Sequence, residues 1–197
     1  SGLFWVIAGL SIVALGIVFT LPYVKPQAQY TLSISNIKQV LNTNLLKLDF
    51  SVFTLHLILT CAFIVMPILL VENNIVATDL KDNWTMYLPV MLVSFVGMLP
   101  MIILAEKYHK HKAMILTAIS IMIMSQILFY QTPLTYTTFF ILLTLFFIAF
   151  NAMEAMLPSL ISKTATSAKR GLAMGMYSTS QFLGAFIGGV FGGWIYN

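Results

Sequence analysis

The stretch FSVFTLHLILTCAFIVMPILLV, residues 50–71, decides the fold, because its 22 residues contain no Asp, Glu, Lys or Arg. A helix rises ~1.5 Å per residue, so ~20 residues cross the ~30 Å hydrocarbon core of a bilayer. Five other stretches are similarly apolar: 1–24, 84–105, 113–132, 133–162 and 171–197. Across all six stretches, only His56 and Glu154 add an ionisable group other than Tyr or Cys. The sequence therefore predicts an all-α, polytopic transmembrane helical bundle with six spans.

The composition excludes an ordinary soluble domain. The chain is 59% hydrophobic and 8% charged, with a mean hydropathy of +0.93, whereas soluble domains are about a quarter charged. We therefore expect the lipid bilayer as a partner. The net charge of +4 does not indicate nucleic-acid binding, because the cations lie between the apolar stretches. We find no metal-ligand spacing and expect neither a metal nor a cofactor.

The cations predict the orientation of the chain. Nine of the ten Lys and Arg residues lie in the alternate gaps 25–49, 106–112 and 163–170, and the tenth is Lys81. Positive charge in short loops marks the cytoplasmic side of a membrane protein. We therefore expect these three gaps in the cytoplasm, and the first span running from outside to inside.

The longest gap, 25–49, predicts a cytoplasmic linker between two bundles. Ile34, Ile37, Leu41 and Leu45 recur at helical spacing, and Ser33 is a suitable N-cap. This pattern favours a short amphipathic helix at the membrane surface, with a solvated loop as the alternative. The chain then divides into the last span of one bundle (1–24), the linker (25–49) and most of a second bundle (50–197).

The last span carries glycines at four-residue spacing, which predicts close packing against another helix. Without side chains on one stripe, two backbones approach and dispersion holds them together. The positions that we expect in this contact are Gly175, Gly184, Gly188 and Gly192.

Polar side chains inside the spans form a candidate site. A charge within hydrocarbon costs about 3 kcal/mol or more. By their depth, five polar groups on three spans share one layer of the bilayer: His56, Asn151, Glu154, Tyr177 and Gln181.

Two interpretations of this layer stay open. In the first, it lies at a water-accessible cavity, and Glu154 and His56 exchange protons. In the second, Glu154 pairs with Lys163, Lys169 or Arg170 and locks helix ends. His56 is then a packing histidine, and the remaining polar groups form hydrogen bonds between helices.

Two motifs resemble the major facilitator superfamily. Residues 105–112, AEKYHKHK, are similar to that family's loop Gly-x-x-x-Asp-Arg-x-Gly-Arg-Arg. Glu106 occupies the acidic position, Lys107 the arginine position, and Lys110 and His111 the basic pair. Ile102 and His109 stand where the motif has its two glycines, so the sequence departs from the motif at both positions.

The second motif is longer and lies in the last two spans. It comprises NAMEAMLPSLIS (151–162), KRG (169–171) and GMYSTSQFLG (175–184), and it resembles spans ten and eleven of drug-efflux-type facilitators of the bacterial inner membrane. The resemblance implies that the chain supplies spans six to eleven of twelve, and that another bundle of the same protein completes it. It also implies alternating access, with Glu106, Lys107, Lys110 and Arg170 at a cytoplasmic gate.

The expected function is secondary active transport, with proton-coupled export of small amphipathic compounds. Protons, a small-molecule substrate and the other bundle are then the partners. One alternative is an intramembrane enzyme that uses His56 and Glu154. Another is a membrane receptor or scaffold that transports nothing.

Overall fold

The computed structural model describes residues 2–22, 42–75 and 84–196, and its chain divides into two units, Ser1–Ser33 and Ile34–Asn197. The first unit contains α1 (Gly2–Phe19). In the second unit, a short 3-10 turn precedes the last of five further helices: α2 (Thr43–Glu72), α3 (Trp84–Lys107), α4 (His111–Gln131), α5 (Tyr136–Thr164) and α6 (Arg170–Tyr196). Every regular element in the described residues is helical, which confirms the all-α prediction.

The six predicted spans correspond to the six helices of the described residues. By length and hydropathy, α2 to α5 are able to cross a membrane, and α1 contains a shorter apolar stretch, Phe4–Phe19. Helix α6 has 27 residues. Its seven glycines and its polar side chains lower its hydropathy, so sequence hydropathy alone does not mark it as a span.

Helix α5 is the centre of the second unit. It contributes thirteen buried residues, against seven from α2, six from α3 and three from α4. Its aromatic side chains Phe146, Phe147 and Phe150 pack against one another, and Phe147 also contacts Phe63 of α2. A polar group on α5 is therefore held on a well-packed scaffold.

Large apolar side chains also cover the outside of this unit. They include Trp84, Leu92, Phe95, Phe182 and Phe186, which are all exposed. A contiguous apolar exterior of this kind is costly in water and favourable in lipid. The surface agrees with a bundle that lies in a bilayer.

Helix α2 begins earlier than the sequence predicts. The Asn42 side chain accepts hydrogen bonds from the backbone N–H groups of Asn44 and Leu45, at 3.1 and 2.9 Å, and so caps the helix at Thr43. Residues 43–49, which we assigned to the linker, form the first turns of α2. Leu45, the last apolar position of the predicted amphipathic helix, is buried in the core.

The rest of the predicted amphipathic helix lies outside the described residues. This applies to Ser33, Ile34, Ile37 and Leu41, so the helix stays a prediction.

Candidate functional site

Three helices meet at a group of polar side chains that we call the triad: His56 on α2, Gln181 on α6 and Glu154 on α5. The Gln181 Nε2 atom lies 2.8 Å from His56 Nε2 and 3.2 Å from Glu154 Oε1. His56 Nε2 is 3.6 Å from Glu154 Oε2. Of the five residues predicted to share a polar layer, these three contact one another.

A glycine seam brings the triad together. A Cβ atom on Gly184 would come closer than 3.0 Å to the backbone of Phe53, and one on Gly188 would clash equally with Leu57. Only glycine allows this approach of α6 to α2. The Cys61 thiol also donates to the Gly188 carbonyl across the seam, at 3.1 Å. The seam fixes the distance between the helices that carry His56 and Gln181.

Only part of the predicted glycine stripe lies in the contact between α6 and α2. Gly192 continues the seam, since a Cβ atom there would lie 3.0 Å from Ile64 Cδ1 and 3.1 Å from Cys61 Cα. Gly175 does not: a Cβ atom on it would meet nothing within 4 Å. The expectation that Gly175 packs against another helix is therefore wrong for the helices described, because it lies before the point where α6 closes on α2.

The hydrogen bonds of the triad fit a neutral His56 and an ionised Glu154. His56 Nδ1 lies 3.2 Å from the Val52 carbonyl oxygen, which can only accept, so Nδ1 carries a proton. In a neutral imidazole, Nε2 then accepts a hydrogen bond from the Gln181 amide. The second N–H of the same amide donates to Glu154. One amide group thus bridges a neutral histidine and a carboxylate.

Glu154 has no cationic partner among the described residues. Its Oε2 atom is buried and accepts no hydrogen bond. The predicted alternative, a pair with Lys163, Lys169 or Arg170, is wrong. Lys163 binds Glu106 instead, and Arg170 Nε donates to the Ser162 carbonyl at 3.1 Å.

The remaining members of the predicted layer lie elsewhere. Asn151 Nδ2 donates to Ser94 Oγ on α3, at 3.2 Å, and so links α5 to α3 rather than to α6. Tyr177 is buried, and its hydroxyl has no hydrogen-bond partner.

Sequence reasoning missed one acidic residue, Asp49. It is buried in α2, and its Oδ1 atom has no hydrogen-bond partner. The charge-free stretch began at Phe50, so Asp49 was assigned to the linker. Its spacing was the available signal, because seven residues separate it from His56 and place both on one face of a helix.

A second polar group, the lysine-end cluster, consists of Glu106, His111, Ser159 and Lys163. Ser159 Oγ donates to Glu106 Oε1 at 2.8 Å, and Lys163 forms a salt bridge with Glu106. His111 Nε2 lies 3.1 Å from Lys163 Nζ, and its Nδ1 lies 2.6 Å from the Ala105 carbonyl oxygen. The cluster ties the α3–α4 turn to the end of α5, so two of the predicted cytoplasmic gaps lie at the same end of the bundle.

The other predicted gate residues are more peripheral. Lys107 is exposed and lies 5.7 Å from the ring centre of Tyr108. Lys110 is exposed at the N-cap of α4, where its side chain makes no capping hydrogen bond. His109 has a φ of 55°, the left-handed conformation that favours glycine. The turn thus has, at His109, a backbone conformation that glycine adopts without strain.

The described residues also contain an apolar cavity of about 410 Å³ between α2, α4 and α5. Thr54, Ile58, Met122 and Gln126 are among the residues that line it, but no predicted site residue does. No group of three or more His, Cys, Asp and Glu side chains in the described part of the chain is placed to hold a metal ion.

A bundle of apolar helices with polar groups joined between them is an architecture that membrane transporters use. The family model of the Major Facilitator Superfamily matches residues 1–189, and the chain belongs to this superfamily. Its members are membrane transporters, so the alternative of an intramembrane enzyme is wrong.

Curated relatives agree with this assignment. The chain is 36% identical over 200 residues to the inner membrane transport protein YajR of Escherichia coli (strain K12), across 98% of this chain and 43% of that protein. It is 35% identical to the uncharacterized transporter BU466 of Buchnera aphidicola subsp. Acyrthosiphon pisum (strain APS), across 94% and 48%. The chain thus spans less than half the length of these relatives. No solved structure gives a significant match.

Proposed function

We propose that the whole protein is a proton-coupled secondary transporter of the bacterial inner membrane, which exports small amphipathic compounds by alternating access. The chain supplies one span of a first bundle and most of a second bundle. Membership of the superfamily supports transport, and the printed name of the Escherichia coli relative supports the inner membrane. The motif at 151–184, which resembles drug-efflux-type facilitators, supports export.

The triad is the observation that carries proton coupling. It places an imidazole and a carboxyl, the two side chains best suited to exchange protons, on one amide between three helices. No Lys or Arg of the described residues neutralises Glu154. Protonation of Glu154 therefore changes the net charge inside the bundle, which a fixed salt bridge would prevent.

The Gln181 amide converts protonation into a change of contacts. With neutral His56 and ionised Glu154, its two N–H groups donate to both partners. A proton on Glu154 places a second donor beside the amide nitrogen, and a proton on His56 Nε2 does the same. The amide then turns to present its oxygen, or His56 closes the 3.6 Å gap to Glu154 directly.

Each protonation pattern thus favours a different arrangement of α6 relative to α2 and α5. Two discrete arrangements with opposite preferences for a proton are what an alternating-access cycle requires. At the glycine seam beside the triad α6 contributes no side chain of its own from Gly184 or Gly188, so its backbone lies directly against α2, and we expect α6 to move along α2 as a unit.

Transport by the full-length protein in proteoliposomes under an imposed pH gradient tests this proposal. Ethidium, an amphipathic cation, is the probe. We expect Glu154→Gln to reduce gradient-driven flux at least tenfold, a loss of ~1.4 kcal/mol of coupling, while ethidium exchange without a gradient persists. Glu72→Gln is the matched control, because Glu72 is an exposed acid at the far end of α2.

Full gradient-driven flux in Glu154→Gln contradicts the coupling role of Glu154. A wild-type protein whose ethidium flux ignores the pH gradient contradicts the proposed export itself.

A further inference from the structure

The α3–α4 turn contains three lysines that no acid of the described residues neutralises. Lys107, Lys110 and Lys112 are exposed. Glu106, the acid beside them in the sequence, forms its salt bridge with Lys163 of α5 instead. In the described part of the chain, none of the three lysines forms a salt bridge, and the first turn of α4 contains no acidic residue. The turn thus keeps three positive charges without a counter-charge.

The other described cations at this end of the bundle are not grouped in this way. Lys163 is paired with an acid, and Arg170 Nε donates to the Ser162 carbonyl oxygen at 3.1 Å. Lys169 is only partly exposed, and Lys47 is alone in the first turns of α2. Within the described ranges, exposed and unpaired cations are therefore concentrated in the α3–α4 turn.

The helices on either side of this turn carry exposed apolar side chains close to the lysines. Leu104 of α3 lies about 5 Å before Lys107 along the helix axis, and Leu116 of α4 lies about 6 Å after Lys112. Such side chains lie in hydrocarbon when a bundle is in a bilayer. A lysine side chain packs its methylene groups on apolar surface and extends its ammonium group toward water. This places the ammonium groups of the turn at the level of the lipid headgroups.

Tyr108 supports this depth. Its side chain is 55% exposed, and Lys107 Nζ lies 5.7 Å from the ring centre. Tyrosine is enriched at the membrane–water interface, because its ring is apolar and its hydroxyl is polar. A soluble acidic protein would have to displace headgroups from this level to reach the lysines, whereas the headgroups already surround the helices there. The surface therefore fits a lipid better than a soluble partner.

We propose that Lys107, Lys110 and Lys112 bind the phosphate groups of anionic phospholipids at the predicted cytoplasmic surface of the membrane. An ammonium group near such a surface gains from its negative potential. A phosphate oxygen also accepts a charge-assisted hydrogen bond from an ammonium N–H. The proposal does not depend on proton coupling. It needs only a chain that lies in a bilayer, as members of the superfamily do.

A headgroup bound at this turn acts on three helices. The turn joins α3 to α4, and its Glu106 and His111 contact Lys163 at the end of α5. Anionic lipid thus holds the predicted cytoplasmic ends of α3, α4 and α5 at the membrane surface.

The test is photocrosslinking of the full-length protein in phosphatidylcholine nanodiscs that contain a small fraction of a photoreactive lipid. This probe is either phosphatidylglycerol or phosphatidylcholine, with the reactive group beside the headgroup. Mass spectrometry measures the label on residues 103–116. We expect the phosphatidylglycerol probe to label this segment about fivefold more than the phosphatidylcholine probe, and high salt to reduce the difference.

A triple variant with Lys107→Gln, Lys110→Gln and Lys112→Gln should bring the two probes to equal labelling. The three side chains are exposed, so the variant should fold. Arginine at the same three positions should keep the preference for phosphatidylglycerol, because arginine retains the charge. Lys47→Gln is the matched control, because it removes an exposed lysine from the start of α2 and should leave the preference unchanged.

An unchanged preference for phosphatidylglycerol in the triple glutamine variant would overturn the proposal. Equal labelling by the two probes in the wild type would overturn it as well. Segment 103–116 left unlabelled by both probes would show that another part of the protein covers the turn, which contradicts the proposal. Loss of the preference in Lys47→Gln would assign it to the overall charge of the protein rather than to this turn.

Discussion

Glu106 and Glu154 both lie beside a histidine, yet the structure surrounds them differently. Glu106 binds Lys163 and Ser159. The exposure of the two side chains is similar, 42% for Glu106 and 36% for Glu154, so their partners make the difference. Glu154 binds only the neutral amide of Gln181, lies 3.6 Å from His56 and keeps one buried oxygen without a donor.

The difference shows what a cation does to a carboxylate. Lys163 keeps Glu106 charged and makes the lysine-end cluster a fixed connection between α3 and α5. Glu154 has no Lys or Arg partner in the described part of the chain, so its charge depends on protons. The same pair of residue types, Glu and His, is a connection in one place and a candidate proton carrier in the other.

The largest effect is expected from a substitution that pushes α6, which carries Gln181, away from α2, which carries His56. Gly188→Leu places a side chain where a Cβ atom already lies closer than 3.0 Å to Leu57, and it should destabilise the bundle by about 3 kcal/mol. Thermal unfolding in detergent measures this loss. Gly189→Leu is the control, because a Cβ atom there meets nothing within 4 Å. Equal unfolding temperatures for the two variants would show that the seam does not hold α6 to α2.

A second substitution would make the triad resemble the lysine-end cluster. Gln181→Lys places a cation beside Glu154 and should hold the carboxylate charged. We expect gradient-driven flux to fall at least tenfold, ~1.4 kcal/mol, and the infrared C=O band of a protonated Glu154 carboxyl to be lost. Gln181→Met removes the amide without adding charge and should keep that band. Wild-type flux in Gln181→Lys would contradict the argument that Glu154 works because no cation is near it.

The smallest effect is expected from the reverse substitution. Lys163→Gln removes the cation from Glu106, but this pair is exposed, and exposed pairs contribute little. We expect a slightly lower unfolding temperature and flux within about twofold of wild type. High salt should reproduce the stability change in the wild type, because it screens the same pair. A tenfold loss of flux in Lys163→Gln would instead make the lysine-end cluster part of the transport machinery.

The sequence predicted the spans and the residues of the triad, because a polar side chain in an apolar stretch is conspicuous. Three of the five polar groups contact one another as a shared depth suggested. Asn151 does not, because its position on α5 directs it to Ser94 of α3. Depth follows from counting residues, whereas the direction of a side chain depends on which helices are neighbours.

Asp49 and the pairing of Lys163 show what the sequence did not predict, namely where α2 begins and which charges pair. A charge-free stretch underestimates the length of a helix whose first turns carry polar residues, so the sequence predicted that α2 begins after Asp49. Lys163 was available to Glu154 in the sequence, but they are about two and a half turns apart along α5, and Lys163 binds Glu106 instead. Which cation meets which acid is decided by tertiary packing, which hydropathy does not report.

His109 has a practical consequence for work on this protein. A side chain held in a left-handed turn costs about 1 kcal/mol relative to glycine, part of which glycine loses again through its freedom in the unfolded chain. Replacing His109 with glycine is thus a way to stabilise the protein for purification and crystallisation. The position lies away from every group that we assign to proton movement.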